Sequence, residues 1–218
     1  MNRAIQLYHN NYIGINILNT ELVQIKQIND GSNFLRSIID GYYSPYKCGY
    51  QIIQNQKVAF DTYEFIKNLR LDLSRKLDSQ IDIENRKYFP DTYFMAVDGQ
   101  ILNPTYYDVL SDNTRKYSLS ELQQWLESDL PLNHELQEYI SLILHKDIYI
   151  IDINTKLLIN IDKNLYKNRD SIILLYDKDN KIYSLLGLSR DNNLITNFKN
   201  DDVFILRLRQ NMFNNKFI

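Results

Sequence analysis

A single cysteine, Cys48, stands among the 218 residues of the chain. That excludes any intrachain disulfide and points to a reducing compartment. Histidine is nearly as scarce, and His9, His134 and His145 show no zinc-ligand spacing among themselves or with Cys48, so no metal or other cofactor is expected. The chain has 6 glycines and 4 prolines, with no glycine-rich phosphate loop and no serine-centred nucleophile elbow. Neither charge sign is in excess, at 25 basic against 27 acidic residues, which removes any whole-chain electrostatic pull toward nucleic acid. The longest unbroken apolar stretch, "SIILLY" at 171–176, is far shorter than a membrane span. The N-terminal "MNRAIQLYHNNYIG" lacks the apolar segment of a secretory signal. A soluble intracellular protein with neither a nucleic-acid nor a membrane partner is the expectation.

What is present is enough for a core, since hydrophobic residues make up 44% of the chain. Asn, Ile, Lys and the 17 tyrosines are abundant in the way a coding bias toward A and T produces. Residues 1–28 alternate loosely and read as short strands or an irregular arm. From Ser32 the period changes: Leu35, Ile38, Ile39 and Tyr42 share a helical face, and "GYYSP" ends the run. Taken alone, Asp30-Gly31-Ser32 is an ordinary helix entry with Ser32 as N-cap, and Arg36 with Asp40 reads as a surface i,i+4 pair. Residues 61–77 form the clearest helix, with Asp61 and Glu64 at capping-box spacing and Phe65, Ile66, Leu69, Leu73 and Leu77 as its stripe. The stretch 78–117 reads as loops with short helices. Ser118 and Glu121 open another helix that buries Leu119, Leu122 and Leu126, with Trp125 beside them as a core residue. A further helix from about Asn133 turns Leu136, Ile140, Ile143 and Leu144 inward. Then "DIYIIDIN", "DSIILLY" and "KIYSLLGL" are strands between polar turns, and "DVFILRLR" at 202–209 reads as a last strand or a short helix. Helices followed by a meander of strands predict a single α+β domain.

The stretch "DGSNFLRSIIDGYYSPY", residues 30–46, resembles the nucleophile segment of the ovarian-tumour-type (OTU) cysteine proteases, in particular the branch found in large DNA viruses. In that family an Asp-Gly-small-Cys run leads into a helix; here Asp30, Gly31 and Ser32 match it, and Asn33 stands where the cysteine would be. Three later segments follow in family order. "FIKNLRLDLSRKL" (65–77) resembles the next helix, and "ELQQWLESDLPLNHELQEYISLILHKDIYIID" (121–152) the central helix pair and its strand. "RDSIILLYDKDNKIYSLLGL" (169–188) resembles the closing hairpin, where the family's histidine precedes an aromatic residue. Aligned on Tyr183, the histidine position is Ile182 and the orienting position two further on is Ser184.

The resemblance covers residues 22–190, with 1–21 as an N-terminal arm and 191–218 as a C-terminal extension of one OTU-like domain. It implies an OTU-like cysteine protease fold, a small and mostly antiparallel sheet between helices. It also implies a groove, near Gly31, Ser32 and Tyr183, that in active relatives holds a ubiquitin tail. Isopeptide cleavage needs a thiolate, an imidazole and backbone N–H groups for the oxyanion. With Asn33 and Ile182 at the two reactive positions, only the N–H groups at the helix start are expected to remain. The resemblance thus implies an inactive binding or structural module, with ubiquitin or a viral or host protein as partner, in a host cytoplasm or a virion. The alternative is an active deubiquitinase with relocated residues, Cys48 paired with His9, His134 or His145.

Overall fold

The computed structural model describes residues 13–78, 117–132, 136–159, 168–191 and 193–213. Most of the expected loop region 78–117 and the expected helix start at Asn133 fall outside them, as do His9 and His134. The chain divides into two compact units, one of residues 1–61 and 147–218, the other of residues 62–146.

The first unit is built on a six-stranded sheet. Its strands are β1 (Ile13–Ile17), β2 (Thr20–Ile25), β5 (Asp147–Asp152), β6 (Ser171–Asp177), β7 (Ile182–Arg190) and β8 (Asn193–Ile195). The order is β1-β2-β7-β6-β5, with β8 also on β7; β5 and β6 run parallel and every other pair antiparallel. Short strands are thus the reading that holds over residues 13–25. The remaining elements of this unit are helix α1 (Asn33–Tyr42), the one-turn α2 (Ser44–Cys48), a separate hairpin of β3 (Tyr50–Ile53) and β4 (Gln56–Ala59), and helix α6 (Val203–Phe213). The architecture is α+β with a mostly antiparallel sheet, as the order of helical and strand periodicities predicts.

The near-continuous apolar runs of β5 and β6 follow from burial on both sheet faces. Alternation sends Tyr149, Ile151, Ile173, Leu175, Leu186 and Leu188 to one face, where they join Ile15, Ile17 and Leu22 and are covered by Phe198 and by Phe204, Ile205 and Leu208 of α6. On the other face α1 lies so close that a Cβ on Gly41 would come within 2.7 Å of Ile172 Cδ1 and 3.4 Å of Leu185 Cδ1. Residues 203–208 are therefore helical, which corrects the strand reading. Phe204, Ile205 and Leu208 are buried while Val203 and Leu206 are exposed, a helical spacing, and the Phe204 N–H donates to Asp202 Oδ1 at 2.8 Å.

A buried charge network ties α6 to the sheet. Asp147, with no exposed surface, accepts from Arg169 Nε at 2.9 Å and from Arg209 at 3.3 Å. Arg209 also donates to the Tyr149 hydroxyl at 2.7 Å and to the Asn200 carbonyl at 2.9 Å. Burial is the largest cause that raises the Tyr149 phenol, to about 12, against the opposing pull of Arg209.

In the second unit α3 (Thr62–Asp78), α4 (Leu119–Glu127) and α5 (Gln137–Ile143) are the described elements. The Ser118–Glu121 capping box forms as spaced: the Glu121 N–H donates to Ser118 Oγ and the Ser118 N–H donates back to Glu121. Arg70, on α3, donates to the carbonyls of Leu126, Trp125 and Leu130 at the end of α4. Trp125 is only half-buried, its indole N–H donating to the Pro131 carbonyl at 2.8 Å. Among the described residues no helix is long and apolar enough to cross a membrane, and no three His, Cys, Asp or Glu side chains stand together as a metal site would need.

Candidate functional site

The stretch that opens α1 folds around the Asp30 carboxylate. Its Oδ1 accepts from the Ser32 N–H at 3.0 Å, and its Oδ2 from Arg36 Nε at 2.8 Å. Its backbone carbonyl accepts from the Asn33 N–H at 3.1 Å. The Asp-Gly turn therefore caps the helix through Asp30. Ser32 holds the N-cap place without a side-chain capping bond, contrary to the simple reading of that triplet. The backbone N–H groups of Ser32 and Asn33 are both turned to Asp30.

Arg36 does not form a surface pair with Asp40. Both are buried, at 3% and 8% exposure; Arg36 reaches back to Asp30 and on to the Tyr46 hydroxyl at 3.1 Å, while Asp40 accepts from Gln27 Nε2 at 2.7 Å. Burial of the whole helix surface from Asn33 to Gly41 is the reason, because a solvated i,i+4 pair requires an open face. Burial works against the Arg36 charge, and Tyr46 and Asp30 outweigh it, so the guanidinium titrates above its usual range. For Asp40 burial is the largest cause and raises its carboxyl, with Gln27 and Lys47 acting the other way.

Asn33 is buried at 3% exposure, and both ends of its amide are engaged. Nδ2 donates to the Tyr183 carbonyl at 2.8 Å, and Oδ1 accepts from the Tyr183 N–H at 2.6 Å. Ser37 Oγ adds a second donor to the same carbonyl at 3.2 Å. The register explains why these groups need a partner. On β7, Leu185 faces Ile25, the last residue of β2; two residues further along, Tyr183 is still paired with Tyr176 of β6 but has no strand on its β2 side. The primary amide of Asn33, with an acceptor and a donor side by side, takes the place of one strand residue there.

Sheet alternation sorts the other predicted positions. Tyr183 faces α1, with its ring edge-on to Phe34 at 5.0 Å and stacked on Tyr176 at 4.5 Å. Ser184 lies on the opposite face: it pairs with Leu175, a member of the α6-side core, and accepts from Gln24 at 2.9 Å. Ile182 shares the parity of Ser184. The structure therefore brings Asn33 to Tyr183, and it points Ile182 and Ser184 away from α1. The two positions aligned on Tyr183, Ile182 and Ser184, thus share the face that α1 does not cover. The β7 side chains that face α1 are Tyr183 and Leu185. Gly31 and Ser32 form the turn just before Asn33, with Ser32 buried.

Cys48 is exposed at the end of α2, its sulfur 3.8 Å from Ser44 Oγ. His145 sits after α5 in the second unit, exposed and with a positive φ of 53°. Sequence reasoning missed the β3–β4 hairpin, whose signal was the Gln54-Asn55 pair; both residues take the positive φ of a two-residue hairpin turn. It also missed Gln27, which donates to Asp40 beside α1, and Gln24, which donates to Ser184 on the opposite face of the sheet.

No family model matches the chain, and no curated protein is similar to it. Among solved structures it is similar to one described as an ovarian tumour (OTU) domain in complex with ubiquitin. The identity is 14%, the match covers 89% of this chain and 84% of that chain, and the TM-score is 0.49. The likeness is one of overall chain course and carries no residue's role across.

Proposed function

We propose that the chain is an OTU-like pseudo-protease, catalytically inactive, that works as a protein-binding or structural module. The observation that carries this reading is the Asn33 amide, committed on both sides to Tyr183. An amide is neither nucleophilic nor ionisable near neutral pH, and this one is spent on holding β7. The ordered resemblance over residues 22–190 supports the family reading and, through the branch it resembles, a place in a viral particle or viral complex inside a host cell. Two further features favour loss of chemistry. The β7 side chains facing α1 are a phenol and an aliphatic group, so β7 presents no imidazole to Asn33. The N–H groups of Ser32 and Asn33 are satisfied by Asp30, leaving them no partner to give to a tetrahedral oxyanion.

Ubiquitin is the proposed first partner to test, since a groove beside Gly31, Ser32 and Tyr183 can outlast the reaction it served. The test pairs two measurements on the full chain. A fluorogenic ubiquitin substrate is expected to be left intact, and a thiol-reactive ubiquitin probe to leave the protein unlabelled. Titration with isotope-labelled mono-ubiquitin, followed by NMR, reads binding directly. Turnover, or covalent capture of the probe at Cys48, would establish the active-protease alternative and overturn the proposal. Absence of both turnover and ubiquitin shifts would keep the inactive module and move its partner to another protein.

A further inference from the structure

The two edges of the six-stranded sheet are treated differently. The outer edge of β5 is covered by the chain that follows it: Ile151 bridges to Leu158, and the Ile159 N–H donates to the Ile150 carbonyl at 2.8 Å. The outer edge of β1 has no partner among the described residues. The strand "IGINI" itself contains neither a charge nor a proline; the nearest charge is the Glu21 carboxylate of β2, which lies over Gly14 on the face opposite Ile15.

The hairpin geometry says which groups that edge presents. Leu18 and Asn19 form a two-residue turn with φ of 52° and 57°, so Ile17 and Thr20 close the hairpin as a hydrogen-bonded pair, and Ile15 with Leu22 is the next. The N–H and C=O of Gly14 and Asn16 consequently point outward. Their side positions are exposed, while Ile15 and Ile17 are buried in the core.

We infer that β1 is a self-pairing edge: two copies of this chain associate by antiparallel β1–β1 contact about a two-fold axis through Ile15. The occupant is argued from self-complementarity, which an isologous interface requires. Ile-Gly-Ile-Asn-Ile is almost the same read from either end. In the register centred on Ile15, Gly14 of each copy faces Asn16 of the other, so every outward N–H and C=O of the strand finds a partner. Shifting the axis by one residue in either direction leaves one of these residues opposite the turn or beyond the strand. Gly14 has no side chain of its own beside Asn16, the Glu21 carboxylate lying over it, and Ile15 meets Ile15 on the α6 side, where each is already largely buried, so the contact rests on the backbone hydrogen bonds. The inference is independent of the pseudo-protease reading.

The test is sedimentation velocity on the full chain over about 1–500 µM, the range in which an interface of few residues associates. A monomer–dimer equilibrium is expected, and Asn16→Pro should weaken it at least about tenfold. That proline removes the outward N–H while sparing the bonds to β2 made by Ile15 and Ile17. Circular dichroism on the same samples reports whether the variant is folded. An independent arm uses Ile15→Cys in a Cys48→Ser background: facing residues at a non-hydrogen-bonded pair have Cα atoms about 4.5 Å apart, within disulfide range. It should cross-link under mild oxidation, and Asn16→Cys in that background should not. A monomer at every concentration overturns the inference. So does a folded Asn16→Pro that dimerises as before, or a cross-link formed by Asn16→Cys in preference to Ile15→Cys.

Discussion

Replacing Asn33 with aspartate tests the clamp more sharply than deleting it. Asn33→Ala removes the acceptor for the Tyr183 N–H and one of two donors to its carbonyl, the other being Ser37. A buried donor left unpaired costs about 1–3 kcal/mol, and the lost second bond adds up to about 1 kcal/mol, so a destabilisation of about 2–3 kcal/mol is expected. Asn33→Asp keeps the acceptor but places a second oxygen where Nδ2 now stands, 2.8 Å from the Tyr183 carbonyl oxygen. Ionised, that carboxyl repels the carbonyl in a site only 3% exposed; protonated, it donates a hydrogen bond and restores the clamp. Burial and the facing carbonyl both disfavour the charged form, so the folded-state carboxyl titrates above its unfolded value of about 3.9. Because the folded value is the higher one, the protonated clamp contributes fully below the unfolded value of about 4 and is lost as pH rises through the raised folded value. Urea denaturation of wild type, Asn33→Ala and Asn33→Asp, followed by circular dichroism from about pH 4 to 7.5, reads this as a difference between the two variants. Other carboxylates common to both cancel. Asn33→Asp should exceed Asn33→Ala in stability at the acid end and fall to it or below at the neutral end. A difference that does not change with pH, or an Asn33→Ala variant as stable as wild type, would refute the reasoning.

Three further outcomes follow from the same structure. Asp147→Ala should cost about 3–5 kcal/mol in chemical denaturation, since it strands Arg169 and Arg209 against each other in a buried site. Asp40→Asn should stabilise the protein at pH 7–8: burial raises the Asp40 carboxyl, so its ionised form is a liability above that folded pKa, and the gain should shrink as pH falls toward 4 and the native residue protonates. Gly41→Ala combines a helix-propensity gain of about 1 kcal/mol with overpacking of about 1–3 kcal/mol against Ile172. It should therefore be neutral to destabilising in a thermal melt. Combined with Ile172→Val, which removes the contacted Cδ1, it should cost less than the sum of the two single changes.

Periodicity made the helices and central strands legible, because Leu35, Ile38 and Ile39, and then the β5, β6 and β7 runs, each bury what their spacing says. The C-terminal helix was ambiguous for a physical reason: "DVFILRLR" is apolar at both helical and strand spacings over its length, and only the core surface waiting for Phe204, Ile205 and Leu208 decides. The site was legible in its parts more than in its geometry. Motif order led to Asn33 and to the strand carrying Tyr183, two residues far apart in sequence that the fold joins by two hydrogen bonds. What it could not supply was the sheet parity, since an anchor on one aromatic leaves the facing side uncertain by one residue. Nor could it supply the inward turn of Arg36 and Asp40, because nothing local distinguishes a solvated charge pair from two buried groups with partners at Asp30 and Gln27.

The connectivity of the first unit has a consequence for how the chain is made. Strand β7 must enter between β2, near the start of the chain, and β6, and its outer face is closed only by α6 after residue 203. During synthesis β1, β2 and α1 leave the ribosome long before the strand that Asn33 is to grip. Residues 62–146, contiguous in sequence, can collapse meanwhile on local contacts, but the sheet must wait for nearly the whole chain. Pairings of such high sequence separation form slowly, and unmatched strand edges in the interim invite association with other nascent chains. The local β6–β7 hairpin can form as soon as it is made, and the amide of Asn33 then waits to hold the other side of β7 at Tyr183, beyond the end of β2.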